Sequence, residues 1–299
     1  MTMISEQFPN LLTEGLRAVF WVEYDRMMQN SPVAQLFNVA GSSKAQEEMQ
    51  GVGNLGDWEE YTGALEYDTF DQLYKTTFTH VEFAKGISIE RSLIDDDQYN
   101  VMNQRVRILA QSAARKREKD AASVFNNAFS SSYTGGDSVS LCNDSHPLSP
   151  THSSDVQANA GSSALSYDAV TATITAGQGL VDDRNELLPI NYDTILVPSA
   201  LGEKTNALVK TANQMDTSDY HANAYGNLKV IVWPYLTDAN NWFMLDSNMA
   251  KLHLHWFNRV PLEFAEDPTS DYNLAVKMRG YQRYSYGWSD YRCCYGHSV

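Results

Sequence analysis

Asp193-Thr-Ile-Leu-Val-Pro198, Leu228-Lys-Val-Ile-Val-Trp-Pro234 and Trp242-Phe-Met-Leu-Asp246 are three short apolar runs, each closed by a proline or an aspartate. Short runs of β-branched and aromatic residues between turn formers read as strands. Ser199 follows the first run and caps an amphipathic segment, Ala200 to Lys210, so that strand leads into a helix. Downstream, Leu252-His-Leu-His-Trp-Phe257 and Leu262-Glu-Phe264 continue the strand pattern, and Asn273 to Tyr295 reads as one strand longer than compact domains usually carry. From Leu187 to Gly296 almost no catalytic grouping is recognisable. The region reads as a building block of strands and turns.

Upstream the period changes to that of helices, which makes the chain α+β. Asp95-Asp96-Asp97 suits the positive end of a helix, and Met102, Val106, Leu109, Ala113, Ala121, Val124 and Ala128 trace an apolar stripe to about Phe129. Arg105, Arg107, Arg115, Lys116, Arg117 and Lys119 make its flank the basic concentration of the chain. Such a run reads as a solvated face or as a partner for acidic residues on neighbouring subunits. Ser130 to Ser163 is an irregular excursion dominated by Ser, Gly, Asn, Asp and Thr, after which Ser166 caps a helix from Tyr167 to Val181.

Near the N-terminus, Leu12, Leu16, Val19, Phe20 and Met27 share one helical face between Asn10 and Gln29, and Asn30-Ser31-Pro32 stops the helix. It reads as a short amphipathic arm or as the first helix of a globular core. Val39 to Gly56 is rich in Gly, Ser, Gln and Glu, which predicts a flexible connection. Trp58 to Tyr74 is dense in acidic and aromatic residues. It leads into Val81/Phe83 and Ile87/Ile89, which alternate on either side of Ala84-Lys85-Gly86 and predict a β-hairpin turning there. Isolated hairpins are marginal in water, so this one needs a partner surface. Trp58, Tyr61, Tyr67, Phe70 and Tyr74 are candidates to supply buried area to a neighbour, or to pack inside one subunit.

A net charge of −15 and a pI near 4.8 argue against an electrostatic grip on nucleic acid, which needs a basic face. With 299 residues and 43% hydrophobic content the chain can bury a sizeable core. Cys142, Cys293 and Cys294 are too few for a disulfide framework and read as reduced thiols, although an intersubunit bridge is conceivable at the adjacent pair. No stretch reaches membrane-spanning length.

Candidate chemistry is poor throughout. Cys142, His146 and His152 lack a fourth zinc ligand, and His253 and His255 would share one strand face without a carboxylate motif. Ser199 sits outside any G-x-S-x-G, Glu59-Glu60 and Asp182-Asp183 read as surface acids, and Gly51-Val-Gly53-Asn-Leu-Gly56 does not have nucleotide-loop spacing. No metal or cofactor is expected.

The order and spacing of Leu196-Val-Pro198 before a helix, Leu228 to Trp233, Phe243-Met-Leu-Asp246, and Arg279 and Arg283 in a late Arg/Gly/aromatic strand resemble tailed-phage major capsid proteins of the Hong Kong 97-like fold. Ile87-Ser-Ile-Glu-Arg-Ser-Leu-Ile-Asp-Asp-Asp97 and Leu141-Cys-Asn-Asp-Ser-His-Pro147 are similar to segments of the Mu-type major head subunit. The resemblance covers most of residues 80–296. It implies an N-terminal arm at 1–55, an extended β-hairpin loop at 56–94, a peripheral domain with a long spine helix at 95–130 and 247–299, and an axial domain at 131–246. It further implies a non-enzymatic subunit that assembles in the host cytoplasm. Pentamers and hexamers would form an icosahedral virion shell enclosing double-stranded DNA without sequence-specific binding. Separate scaffolding and portal proteins, and decoration proteins in some cases, would be its partners. Phe20, Trp58, Tyr61, Tyr67, Phe70, Tyr74, Arg115, Arg117, Arg279 and Arg283 are the candidate inter-subunit contacts. A lysine crosslink of the kind some relatives make would use Lys75 or Lys85. An encapsulin-like compartment and a β-rich hydrolase are the alternatives.

Overall fold

The computed structural model describes residues 8–58, 60, 61, 63, 67–90, 92, 99–211, 222–267 and 275–299. The predicted start of the long helix at Asp95-Asp96-Asp97 lies outside the described residues. Among the described residues, five longer helices, α1 (Phe8–Met28), α3 (Tyr99–Asn126), α4 (Tyr167–Gln178), α5 (Gly202–Lys210) and α6 (Ser247–His253), accompany the five-residue α2 (Pro32–Leu36). Ser31 caps α2 and Ser166 caps α4, each hydroxyl accepting a backbone N–H of the first turn.

Two sheets organise the strands. The first is four-stranded in the order β1 (Asn38–Gly41), β11 (Leu254–Glu266), β12 (Ala275–Trp288), β4 (Val81–Glu90). The second is five-stranded in the order β7 (Ala160–Gly161), β13 (Cys294–His297), β10 (Trp242–Leu245), β8 (Thr194–Val197), β9 (Lys229–Val232). Among the described residues β2 (Gln46–Val52) and β3 (Gln72–Thr79) pair only with each other, and β5 (His146–Pro147) pairs with β6 (Val156–Gln157). The strands read at 194–197, 229–232 and 242–245 are all present and are neighbours, with Thr194 opposite both Leu245 and Lys229.

Three apolar clusters hold these layers. Phe125 of α3, Trp233, Phe243, Trp256 and Tyr284 centre the first, which joins the two sheets. The second packs α1 on α3 and the outer end of the four-stranded sheet through Phe20, Leu109 and Phe264. The third places α4 and α5 on the five-stranded sheet through Val170, Leu208 and Met244. Buried Glu118 of α3 ties the first cluster together: it accepts from the Ser31 hydroxyl and, at 2.8 Å, from the indole of Trp233. Burial pushes this carboxyl up, and the two donors offset part of that push.

Several expectations are corrected here. The N-terminal segment, read as an arm or as a first core helix, packs within the chain: the α1 face carrying Leu16 and Phe20 is buried on α3, and Glu23 accepts from Gln111 across the helix pair at 2.7 Å. Val39 to Gly56 is not a flexible connection, since it contains β1 and β2. Ala84-Lys85-Gly86 is not a turn. β4 runs straight through it, with Lys85 opposite Gly280 in an unbroken register with β12. The long terminal strand breaks after Trp288, where Asp290 accepts the backbone N–H of Arg292 in a tight turn, and residues 294–297 cross to the five-stranded sheet. Residues 294–297 therefore sit with the segment expected to be axial, and 81–90 with the segment expected to be peripheral. His253 closes helix α6, so the two histidines do not alternate along a strand; they still meet, both within 3.1 Å of the Ser289 hydroxyl.

Candidate assembly surface

The hairpin lies elsewhere than predicted: β2 and β3 form it, in register from Gln46 opposite Thr79 to Gln50 opposite Lys75, with a one-residue shift before Val52 opposite Gln72. Burial along β2 alternates between exposed and half-buried, so neither face is covered as a core strand would be. Its inner end is seated on the body. Phe78 packs where a side chain would stand at Gly287, whose φ is +155°. A Cβ at Gly136 would lie 2.8 Å from the Lys75 carbonyl, so the 135–137 turn must stay small for the ribbon to rest on it.

At the far end, residues 53–71 join β2 to β3, and the neck of this loop is clamped. The Asn54 side chain donates to Asp182 Oδ2 at 2.9 Å and its backbone N–H to Asp183 Oδ1 at 3.0 Å. Arg184 donates to the Asn54 carbonyl at 2.8 Å, to Asp68 Oδ1 at 2.9 Å and to the Thr69 carbonyl at 2.8 Å. Asp68 is held below the usual carboxylate range by the Gly56 N–H first and Arg184 second. Burial pushes Asp182 up, but the N–H of Glu186, the Asn54 amide and the N–H of Arg184 outweigh it and leave it lowered. Asp182-Asp183, read from sequence as surface acids, are thus buried structural acceptors. Arg184→Ala is expected to speed hydrogen exchange across 53–71 severalfold while changing global stability by less than about 1 kcal/mol, because a half-exposed guanidinium contributes little to folding. Exchange mass spectrometry of the purified chain checks this.

Beyond the clamp the loop presents its aromatic residues outward. Trp58 is 100% exposed, Tyr67 89%, Tyr61 70% and Phe70 61%. Single exposed aromatics are ordinary, but several on one acidic loop without Lys or Arg from 55 to 71 form an uncovered surface. Tyr74 differs, being half-buried beside a cavity of about 410 Å³ under the hairpin, where burial and then Asp137 push its phenol up.

A groove of about 460 Å³ runs between α3 and β4. Phe20, Phe83, Leu109 and Leu262 supply apolar lining, Lys85, Arg115, Lys116 and Lys119 supply positive charge, and Glu82, which faces Arg283, adds one carboxylate. Arg115 and Lys119 are exposed there. Lys116 pairs with Asp120 at 2.5 Å.

Most of the remaining candidates have partners within the chain. Phe20 is fully buried and stacks on Phe264 at 4.3 Å, at the floor of that groove. Arg117 lies over the Trp256 ring at 4.8 Å, and Arg283 faces Glu82 across the strand pair at 3.7 Å. Arg279 is exposed on β12. Lys75 pairs with Glu48 across the hairpin at 2.6 Å. Cys142, Cys293 and Cys294 are all buried, so none is available to a neighbouring subunit, and Cys142 Sγ lies 4.0 Å from Cys294 Sγ. His146 faces Asp137 at 2.7 Å and stacks on Tyr291, while His152 turns to Ser149 and Thr151. Among the described residues no group of three metal-type side chains comes together, and no helix is long and apolar enough to cross a membrane.

A family described as phage capsid protein matches residues 74–296. The chain belongs to the phage capsid protein family. Among solved structures, this capsid protein is similar to the capsid of bacteriophage JBD30, with a TM-score of 0.51 and 11% identity over 89% of its own length and 64% of the JBD30 chain. The JBD30 capsid decorated with minor capsid protein trimers gives 0.56 and 12% over 70% and 91%. The capsid of an empty GTA particle gives 0.56 and 14% over 90% of each chain. These likenesses establish the Hong Kong 97-like fold. Comparison with curated protein sequences found no match. Family and fold together make the molecule a major capsid protein, a structural component of the virion, and favour neither the compartment nor the hydrolase reading.

Proposed function

We propose that copies of this chain assemble as pentamers and hexamers into an icosahedral tailed-phage head around double-stranded DNA, and that the 55–71 loop of one copy seats on the α3/β4 groove of the next. The exposed acidic-aromatic loop carries this reading, because the same chain presents a groove lined by apolar side chains and by more basic than acidic ones. Burying aromatic surface supplies affinity and charge complementarity sets the register. The four-stranded sheet with α3 then serves as the peripheral domain, and the five-stranded sheet with α4 and α5 as the axial domain. Sequence likeness at 87–97 and 141–147 supports a Mu-type head subunit. Assembly in the host cytoplasm with separate scaffolding and portal proteins, and decoration as in the JBD30 particle, completes the proposal. No catalytic step is needed; Arg279 is left for a contact elsewhere on the shell.

Reversing the rim with Arg115→Glu and Lys119→Glu tests the pairing. Folded subunits with unchanged circular dichroism and no closed shells by electron microscopy are expected. Normal shells from the doubly reversed chain would contradict it.

A further inference from the structure

The hairpin joins the body at two places, residues 42–45 between β1 and β2 and the single residue His80 between β3 and β4. One buried side chain bridges both. His80 Nε2 lies 3.1 Å from Ser42 Oγ, and its Nδ1 lies 3.0 Å from Ser285 Oγ on β12. Ser42 is itself held at both ends: its N–H donates to the Asn258 carbonyl of β11 at 2.9 Å, and its hydroxyl donates to Glu47 Oε1 on β2 at 2.7 Å.

Hydrogen counting fixes the direction of this chain. An ionised carboxylate only accepts, so the one hydroxyl hydrogen of Ser42 goes to Glu47. The bond with His80 must then run from Nε2–H to Ser42 Oγ. In the neutral ring Nδ1 then carries no proton and accepts from the Ser285 hydroxyl. The neutral imidazole therefore completes an unbroken relay, Ser285 to His80 to Ser42 to Glu47, from the fixed sheet into the hairpin. A proton on Nδ1 takes away the acceptor that Ser285 uses and sets a cation in a buried position. Arg283 on β12 and Arg259 on β11 repel that cation, Glu47 on β2 attracts it, and Glu82 on β4 is engaged with Arg283. Lys44, in the same connection as Ser42, is paired with Glu47 at 3.2 Å.

We infer that this relay is a pH-gated lock on the hairpin, closed while His80 is neutral and released when it gains a proton. The lock belongs to the folded subunit and stands whether or not the loop docks on a neighbour. Burial first, and Arg283 second, depress the imidazole below its ordinary 6.5 in the closed form. Once freed into water it returns toward that value, so the released form binds more protons in the window just below 6.5 and acid favours release. The lock is fully present above that window and weakens as pH falls through it.

Hydrogen exchange of the full chain at pH 7.5 and pH 5.5, corrected for intrinsic rates, tests the lock. Protection of peptides spanning 46–52 and 72–79 is expected to drop severalfold, up to about tenfold, on acidification, with α3 unchanged. His80→Gln, which keeps a donor but takes up no proton in this range, is expected to give equal protection at both pH values. Ser285→Ala, which removes the donor to Nδ1, is expected to move the midpoint of release upward toward 6.5. Unchanged hairpin protection in the native chain, an equal acid response in His80→Gln, or an unmoved midpoint in Ser285→Ala would each overturn the inference.

Discussion

Replacing Trp58, Tyr61 and Tyr67 together by alanine is expected to leave the subunit folded and to abolish closed shells. All three side chains stand in solvent in the isolated chain, so their loss changes folding stability by no more than about 0.5 kcal/mol each. In the shell each would be covered by the adjoining copy. Burial of one large apolar side chain is worth about 1.5–3 kcal/mol, so the triple change removes several kcal/mol from every such contact. Shell subunits make this contact once per copy, and the deficits accumulate around each ring. Size-exclusion chromatography with negative-stain microscopy reads assembly, and urea unfolding reads the subunit. Shells of normal yield from the triple variant would remove these aromatics from the interface.

Asn159→Ala is expected to do the reverse, destabilising the fold of the subunit itself. Asn159 has no solvent exposure, and its amide donates to the carbonyls of Leu141, Cys294 and Tyr291 at 2.8, 2.9 and 3.2 Å. Its Oδ1 accepts the Asn143 N–H at 2.8 Å. One side chain thus joins the irregular 141–143 segment to the last strand. Alanine leaves these groups buried without partners, at about 1–3 kcal/mol each, so a loss of at least about 3 kcal/mol is expected. The midpoint of urea unfolding checks it; a shift equivalent to less than about 1 kcal/mol would contradict this role.

What the sequence discloses depends on how much of an element is buried. β8, β9 and β10 were legible because apolar runs such as Thr194–Val197, buried along its whole length, are bounded by turn residues. The hairpin strands were not, because Gln46–Val52 and Gln72–Thr79 have mostly polar sequences and half-exposed faces, leaving no apolar alternation to read. The alternation in Val81–Glu90 was real but belonged to a single edge strand, and Lys85-Gly86 imitated a turn. Helix α6 was missed for its brevity, although Asp246 caps it through the N–H groups of Asn248 and Met249, a signal present in Asp246-Ser-Asn. Likewise Ser289-Asp290 was available as turn chemistry to divide the last strand.

The exposed loop was legible as a cluster of aromatic and acidic residues, and its ambiguity between outward and inward packing is resolved outward for Trp58, Tyr61, Tyr67 and Phe70. The groove was only half legible. Arg115 and Lys119 stand out in the helix, but Lys85, Phe83 and Leu262 reach it through long-range strand pairing that no local pattern encodes. His80 carries no motif at all. Its position between two strands acquires meaning only when β12 brings Ser285 beside it.

Electron cryo-microscopy of the purified, full-length chain is the most direct test of a subunit completed by its own copies. Closed shells are predicted, with Trp58 and Tyr67 of each copy covered at the α3/β4 groove of the next. A solution of monomers, or shells in which residues 55–71 remain uncovered, would contradict it.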